Sequence, residues 1–164
     1  MAFHHDLLEV ARGLLEKEYP TQATLHRSVS TAYYALFHLL IHEACSNWAR
    51  PEHRINLARA FEHKQMLSAS DKQKAKHKDA AENSAEKHLF EVALSFVQLQ
   101  QKREFADYDY SIELSLDQAR LAIVQAETAF RSWEAIRNEQ ITQDYLFSLL
   151  IKDRAVKAPE WGNR

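Results

Sequence analysis

Glycine and proline are scarce in this sequence, with two glycines and three prolines among 164 residues. Both residue types interrupt helices, glycine because its backbone is too free and proline because it lacks an N–H donor. The prolines, at positions 20, 51 and 159, lie between segments of helical periodicity and not within them. Long helices can therefore form without interruption, and no segment shows the sustained alternation of a β-strand. The composition predicts an all-α protein.

Cysteine and net charge are also low. The single cysteine, Cys45, excludes an internal disulfide and fits a reducing compartment. The formal net charge is -2, so that nucleic-acid or anionic-membrane binding would need a local positive patch. The N-terminal residues lack the basic start and apolar run of a signal peptide, and no stretch approaches the ~20 apolar residues of a membrane span. These absences predict a cytoplasmic protein without membrane association.

The most apolar stretch runs from Arg27 to Cys45 and has the periodicity of a helix. Its apolar residues form two adjacent stripes, the first with Leu25, Val29, Ala32, Leu36 and Leu40, and the second with Tyr33, Phe37, Ile41 and Ala44. A helix that is apolar on most sides is buried on most sides. In so small a bundle, such a helix leaves apolar surface uncovered. This excess predicts a two-fold homodimer with the long helices near its seam.

Residues 1–152 are predicted to form one domain, an up-and-down bundle of four main helices with an additional C-terminal helix. A first amphipathic helix ends near Tyr19, a central one starts after Thr21 and ends near Trp48, and a weaker one covers 55–66. Residues 68–84 are a polar connection or a helix extension.

The later helices have clearer start signals. One starts near Ser84, and the next starts at Ser115, which has capping-box spacing to Gln118. The pattern over 141–149 either extends that last helix or follows a kink near Asn138. Residues 153–164 are predicted to be a polar, fraying tail.

One arginine lies on the apolar side of the helix that begins near Ser84. The stripe formed by Leu89, Val92, Phe96 and Leu99 continues to Arg103 and then to Asp107. An unpaired buried guanidinium is prohibitive, so Arg103 must reach solvent, pair, or face a partner surface. Two interpretations stay open, an Arg103–Asp107 pair that secures the helix end and the dimer seam, or an anion contact in a ligand site.

Two short motifs, one around Tyr33 and Tyr34 and the other from Arg103 to Asp109, resemble the HEPN superfamily, in particular its small stand-alone branch. The Ser-x-x-Tyr-Tyr-Ala-x-Phe-type signature is matched by Ser30, Ala32, Tyr33, Tyr34, Ala35 and Phe37. The Arg-x-x-Ala-Asp-Tyr-Asp-type stretch is matched by Arg103, Ala106, Asp107, Tyr108 and Asp109. The resemblance covers roughly residues 7–133. It implies a helical bundle and, as in many members, a dimeric, metal-independent endoribonuclease of a toxin–antitoxin or defence system, often paired with a minimal nucleotidyltransferase.

The resemblance also implies roles for single residues. In such a site an arginine neutralises charge on the scissile phosphate, and a histidine that follows after four to six intervening residues moves protons. Arg103 matches the arginine, but Tyr108 stands where the histidine is expected, and Tyr110 stands at the companion tyrosine position. A tyrosine is protonated at neutral pH and can donate a hydrogen bond, but it is not a ready base. Asp107 is the remaining candidate proton acceptor.

The sequence therefore predicts an RNA-binding or metal-independent RNA-cleaving protein, with Arg103, Tyr108 and Asp107 as catalytic candidates. The ligand-binding candidates are Ser30, Tyr33, Tyr34, His63 and Tyr110. The alternative is a catalytically inactive HEPN module that binds a nucleotide or a protein such as the nucleotidyltransferase.

No cofactor or metal is predicted. His38 and His42 have the HxxxH spacing that metals use, but only two ligands are visible, and the HExxH pattern is absent. A di-histidine metal bundle is the less favoured interpretation, and core or interface histidines are favoured over it.

Overall fold

The computed structural model describes residues 2–152, and within this range it contains seven α-helices and no β-strand. The helices are α1 (Phe3–Gly13), α2 (Gln22–Ser46), α3 (Pro51–Ala58), α4 (His63–Lys76), α5 (Ala85–Tyr108), α6 (Leu116–Ile136) and α7 (Gln140–Leu150). The prediction of an all-α protein is confirmed for this part of the chain. None of these helices is both long and apolar enough to cross a membrane. The tail predicted over 153–164 lies outside the described residues.

Side-chain caps determine where the three longest helices begin. The hydroxyl oxygens of Thr21 and Ser84 each accept a hydrogen bond from the backbone N–H three residues later. Ser115 and Gln118 form the predicted capping box, in which the Gln118 side chain also accepts from the Ser115 N–H at 2.8 Å. Each cap satisfies an N–H that has no partner inside its own helix. The starts of α2, α5 and α6 therefore agree with the prediction.

The first predicted helix is too long. It ends at Gly13 and not near Tyr19. Residues 16–19 are all exposed, so a helical face there would have no core to pack against. An isolated helical turn without tertiary packing is unstable in water, which explains the early end.

The weak helix predicted over 55–66 is two helices. No residue of α3 is buried, whereas α4 buries Met66, Ala69 and Ser70. Helix α3 packs against α2, whereas α4 packs against α5 and α7, which explains why their apolar residues do not share one stripe. Because α4 continues to Lys76, the first half of the polar stretch 68–84 is a helix extension.

The helical pattern over 141–149 belongs to a separate helix and does not extend the preceding one. Helix α6 ends at Ile136 and α7 begins at Gln140. The Thr142 hydroxyl donates a hydrogen bond to the Ile136 carbonyl at 2.6 Å and so holds the two helices at a fixed turn. Of the two alternatives, the kink is correct.

Helix α2 is the centre of the fold and packs against α1, α5 and α6. Its direction is opposite to that of α5, because His26 contacts Ala106 while the later Tyr33 contacts the earlier Phe96. All nine residues of the two predicted stripes are buried within a single chain. The burial prediction is confirmed. Because these residues are already buried within one chain, they do not provide the uncovered apolar surface from which the homodimer was predicted. The homodimer stays a prediction.

Candidate functional site

A groove of about 630 Å³ lies between the start of α2 and the end of α5. Its volume is within the range of roughly 300–1,000 Å³ that small-molecule sites occupy. The groove is lined by Gln22, Ala23, His26, Arg27, Tyr34, Ala106, Asp107, Tyr108 and Tyr110. Four of the predicted site residues, Tyr34, Asp107, Tyr108 and Tyr110, therefore share one surface, although they come from two separate motifs.

Arg103 lies next to this groove but is not part of its open wall. It is only 6% exposed, so that of the alternatives left open by its place on the apolar stripe of α5, reaching bulk solvent is the one that does not apply. The guanidinium carbon is 5.2 Å from the ring centre of Tyr33 and 5.9 Å from that of Tyr108. Tyr33 is in the core and Tyr108 lines the groove, so the guanidinium lies between the two. Cations are attracted to aromatic faces at such distances.

The Arg103 guanidinium has few polar partners for its five N–H donors. Nη2 donates to Gln100 Oε1 at 3.3 Å. Nη1 is 3.8 Å from Asp107 Oδ2, which is longer than the roughly 2.7–2.9 Å of a charge-assisted hydrogen bond. Nε is buried and has no partner among the described residues, and the same is true of the Ser30 hydroxyl on α2. The Arg103 guanidinium therefore retains hydrogen-bonding capacity in a buried place, where unpaired donors are costly.

Tyr33 and His63 form a pair beneath Arg103. The Tyr33 hydroxyl lies 2.6 Å from His63 Nδ1, and the His63 ring stacks on Phe37 with centroids 4.4 Å apart. Burial raises the pKa of Tyr33 and outweighs the opposing effect of the Arg103 charge. Burial, and then the Arg103 charge, lower the pKa of His63 and so favour its neutral ring. In that ring, Nδ1 accepts from the Tyr33 hydroxyl in one tautomer and donates to it in the other. These two predicted ligand-binding residues contact each other, and Tyr33 is fully buried.

We expect Tyr33→Phe to lower the free energy of unfolding by about 1 kcal/mol, because His63 Nδ1 loses its hydrogen-bond partner while the buried aromatic ring remains. Urea denaturation measures this loss. Tyr34→Phe is the matched control, since Tyr34 is the neighbouring, half-buried tyrosine. Equal stability of the wild-type and Tyr33→Phe proteins would contradict the pairing.

The sequence analysis missed Gln22, His26 and Arg27. Gln22 pairs with both backbone groups of Leu114, donating from Nε2 to the carbonyl at 2.8 Å and accepting at Oε1 from the N–H at 2.9 Å. Arg27 is exposed and adds a positive charge to the groove. The only sequence signal was that Gln22, His26 and Ser30 recur every four residues as a polar stripe on an apolar helix.

The groove wall also presents two exposed aromatic rings. Tyr108 is 75% exposed and Tyr110 is 84% exposed. Exposed rings beside cations are suited to stacking on planar, negatively charged ligands such as nucleotides. The groove thus combines two exposed aromatic rings with the positive charge of Arg27, in a protein whose net charge is -2.

Comparison of the chain with family models, curated proteins and solved structures found no match. Function is therefore inferred from the groove, from Arg103 and from the two motifs. The motifs account for Arg103, Asp107, Tyr108 and Tyr34, which lie in or beside the groove. They do not account for Arg27 and His26, which only the fold brings there.

His38 and His42 lie outside this site. The ring of His42 is 5.1 Å from that of His4 in α1, and the ring of His38 is 5.0 Å from that of Phe3. No group of three or more side chains in residues 2–152 has the composition and geometry to hold a metal ion. The HxxxH spacing therefore forms part of a histidine-rich contact between α1 and α2.

Proposed function

We propose that this chain is a HEPN-type protein that binds RNA in the groove between α2 and α5. The observation that carries the proposal is Arg103, a buried guanidinium with spare N–H donors directly behind an aromatic groove wall. An RNA phosphate accepts such donors in a bidentate geometry, and Arg27 adds a second charge. Tyr108 and Tyr110 would stack on unpaired bases. Because Tyr108 is exposed, a rotation of its side chain would open the path to Arg103.

Several finer features belong to the same proposal. The four main helices of a HEPN-like bundle would be α1, α2, α5 and α6, with α7 as the additional C-terminal helix. The contacts of α2 with α1, α5 and α6 support this assignment. A homodimer, a toxin–antitoxin or defence setting and a nucleotidyltransferase partner follow from the family resemblance alone.

RNA binding is better supported than RNA cleavage. Cleavage through the 2'-hydroxyl needs a proton acceptor beside the phosphate. His63 Nδ1 is already hydrogen-bonded to the Tyr33 hydroxyl, and both ring nitrogens of His26 face backbone carbonyls. Asp107 would be the remaining acceptor. Metal-independent cleavage with Arg103, Asp107 and Tyr108 at the reacting phosphate is the competing hypothesis.

The test incubates the purified protein with labelled single-stranded RNA in EDTA and measures both affinity and chain cleavage. We expect intact RNA and a roughly 10–100-fold weaker affinity for Arg103→Ala, because a charge-assisted phosphate contact is lost. The matched control is Arg120→Ala, which removes an exposed arginine of α6. Circular dichroism verifies that each variant is folded.

Three outcomes would change the conclusion. Unchanged affinity of Arg103→Ala would remove Arg103 from the site. Cleavage by the wild-type protein that disappears in Arg103→Ala would favour the enzyme. If the wild-type protein does not bind RNA, the alternative of an inactive module with a nucleotide or protein partner replaces the proposal.

A further inference from the structure

Two side chains of α2 hold the chain segment that leaves α5. Gln22 and His26 are four residues apart and therefore lie on one face of the helix. Gln22 binds the N–H and the carbonyl of Leu114. His26 has Nδ1 at 2.9 Å from the Ala106 carbonyl oxygen and Nε2 at 2.9 Å from the Ile112 carbonyl oxygen. Four backbone groups on either side of Tyr108 and Tyr110 are thus bound to one turn of α2.

The protonation state of the His26 ring determines whether one or both of its contacts are hydrogen bonds. A neutral imidazole has one N–H donor and one nitrogen lone pair, whereas the protonated ring has two donors. A carbonyl oxygen can only accept. In the neutral ring, one nitrogen lone pair would therefore face a carbonyl oxygen at 2.9 Å, which is repulsive. Both contacts are hydrogen bonds only when His26 is an imidazolium.

We propose that His26 is a protonation-dependent clamp that positions the aromatic wall of the groove. In its imidazolium form, His26 fixes the last turn of α5 and the loop of residues 109–115, and these carry Tyr108 and Tyr110. It also places a positive charge beside Arg27. His26 is a positioning residue, and its consequence for a ligand rests on the proposed RNA function. The clamp itself is a property of the protein without ligand.

The sign of the pH dependence follows from the hydrogen-bond count. The other charged or titratable groups that line the groove are Arg27 on α2, Asp107 and Tyr108 on α5, and Tyr110 on the loop, with Arg103 behind them. The protonated ring makes one more hydrogen bond to the segment of residues 106–112, which carries Tyr108 and Tyr110, than the neutral ring does. The arrangement with both hydrogen bonds is therefore favoured at lower pH, and the loop of residues 109–115 opens more often at higher pH.

Hydrogen exchange of the Leu114 amide measures this opening, because that N–H donates to Gln22 Oε1 inside the clamped segment. The measurement uses the ligand-free protein at about pH 5.5 and 8, and rates are corrected for intrinsic exchange. We expect the protection of Leu114 to be roughly tenfold higher at the lower pH, since one charge-assisted hydrogen bond is gained. Equal corrected protection at both pH values would overturn the proposal.

A ring substitution separates the clamp from other histidines. His26→Phe keeps the ring but removes both nitrogens, and we expect low protection of Leu114 without pH dependence. His53→Phe is the control, because His53 is an exposed histidine of α3, and it should keep the wild-type pattern. A His26→Phe protein that retains the pH dependence would contradict the assignment.

A second measurement on the wild-type protein does not depend on the folding of any variant. Nitrogen-15 NMR of the His26 ring distinguishes the imidazolium from either neutral tautomer. We expect the imidazolium signature under the conditions where Leu114 is most protected. A neutral ring in the protected state would overturn the clamp even if RNA binds, whereas absent RNA binding with an intact clamp would overturn only the proposed function.

Discussion

Arg103→Met is expected to leave the folded protein equally stable or to stabilise it by about 2 kcal/mol, while the proposed affinity for RNA falls roughly 10–100-fold. The arginine is 6% exposed, its Nε has no partner in the described structure, and its ion pair with Asp107 is loose at 3.8 Å. Methionine removes this desolvated charge and fills a similar volume against the aromatic ring of Tyr33. Asp107, whose side chain is 24% exposed, can be hydrated after the substitution. Urea denaturation and an RNA-binding titration measure the two effects.

The opposite interpretation of Arg103 predicts the opposite sign. If the Arg103–Asp107 pair mainly secures the helix end, Arg103→Met should destabilise the protein. Arg137→Met is a suitable reference, because Arg137 makes two hydrogen bonds to the buried carboxylate of Glu43. We expect that variant to lose about 1–3 kcal/mol, since an anion is left buried without its partner. A similar loss for Arg103→Met would identify Arg103 as structural and would remove the main support for an anion site.

The apolar stripe on α5 was sufficient to place Arg103 on the core side of the helix, because helical periodicity alone determines which side of a helix a residue occupies. Whether its guanidinium reaches solvent, pairs or faces a partner surface was left open by the sequence. The same periodicity explains the different positions of Tyr33 and Tyr34. Adjacent residues are separated by about 100° around a helix, so Tyr33 points into the core while Tyr34 reaches the groove. A motif that contains both tyrosines therefore combines a packing residue with a surface residue.

The contribution of His26 could not be predicted from the sequence. Its partners are the backbone carbonyls of Ala106 and Ile112, and every residue type has such a carbonyl. Only the antiparallel packing of α2 on α5 brings these groups together. The division between α3 and α4 was also not predicted. The polar residues of α4 are compatible with either a connection or a helix extension, and only the structure shows that this helix buries Met66.

Acidification is expected to destabilise the protein through His4. This residue at the start of α1 is 5% exposed, and its ring lies 4.6 Å from that of His5 and 5.1 Å from that of His42. Burial, and then the charges of His5 and His42, lower the pKa of His4 from 6.5 to about 4, against the opposing charge of Glu43. Between these values the unfolded chain binds a proton that the folded protein does not. The free energy of unfolding therefore falls as the pH decreases through this window, in total by ~3 kcal/mol.

His4→Phe isolates this contribution, because a phenyl ring is similar in size to the imidazole, packs next to Phe130, and cannot be charged. Urea denaturation at pH values above and below the window should show a smaller loss of stability in acid for His4→Phe than for the wild-type protein.

Some loss of stability in acid should remain in the His4→Phe protein. The reason is Glu43, where burial alone would raise the pKa, but hydrogen bonds from Arg137 lower it, so that protonation of Glu43 also destabilises the fold. His53→Phe, which removes an exposed histidine, should follow the wild-type curve. Parallel curves for the wild-type and His4→Phe proteins would show that the α1–α2 histidine contact accepts a proton without opening.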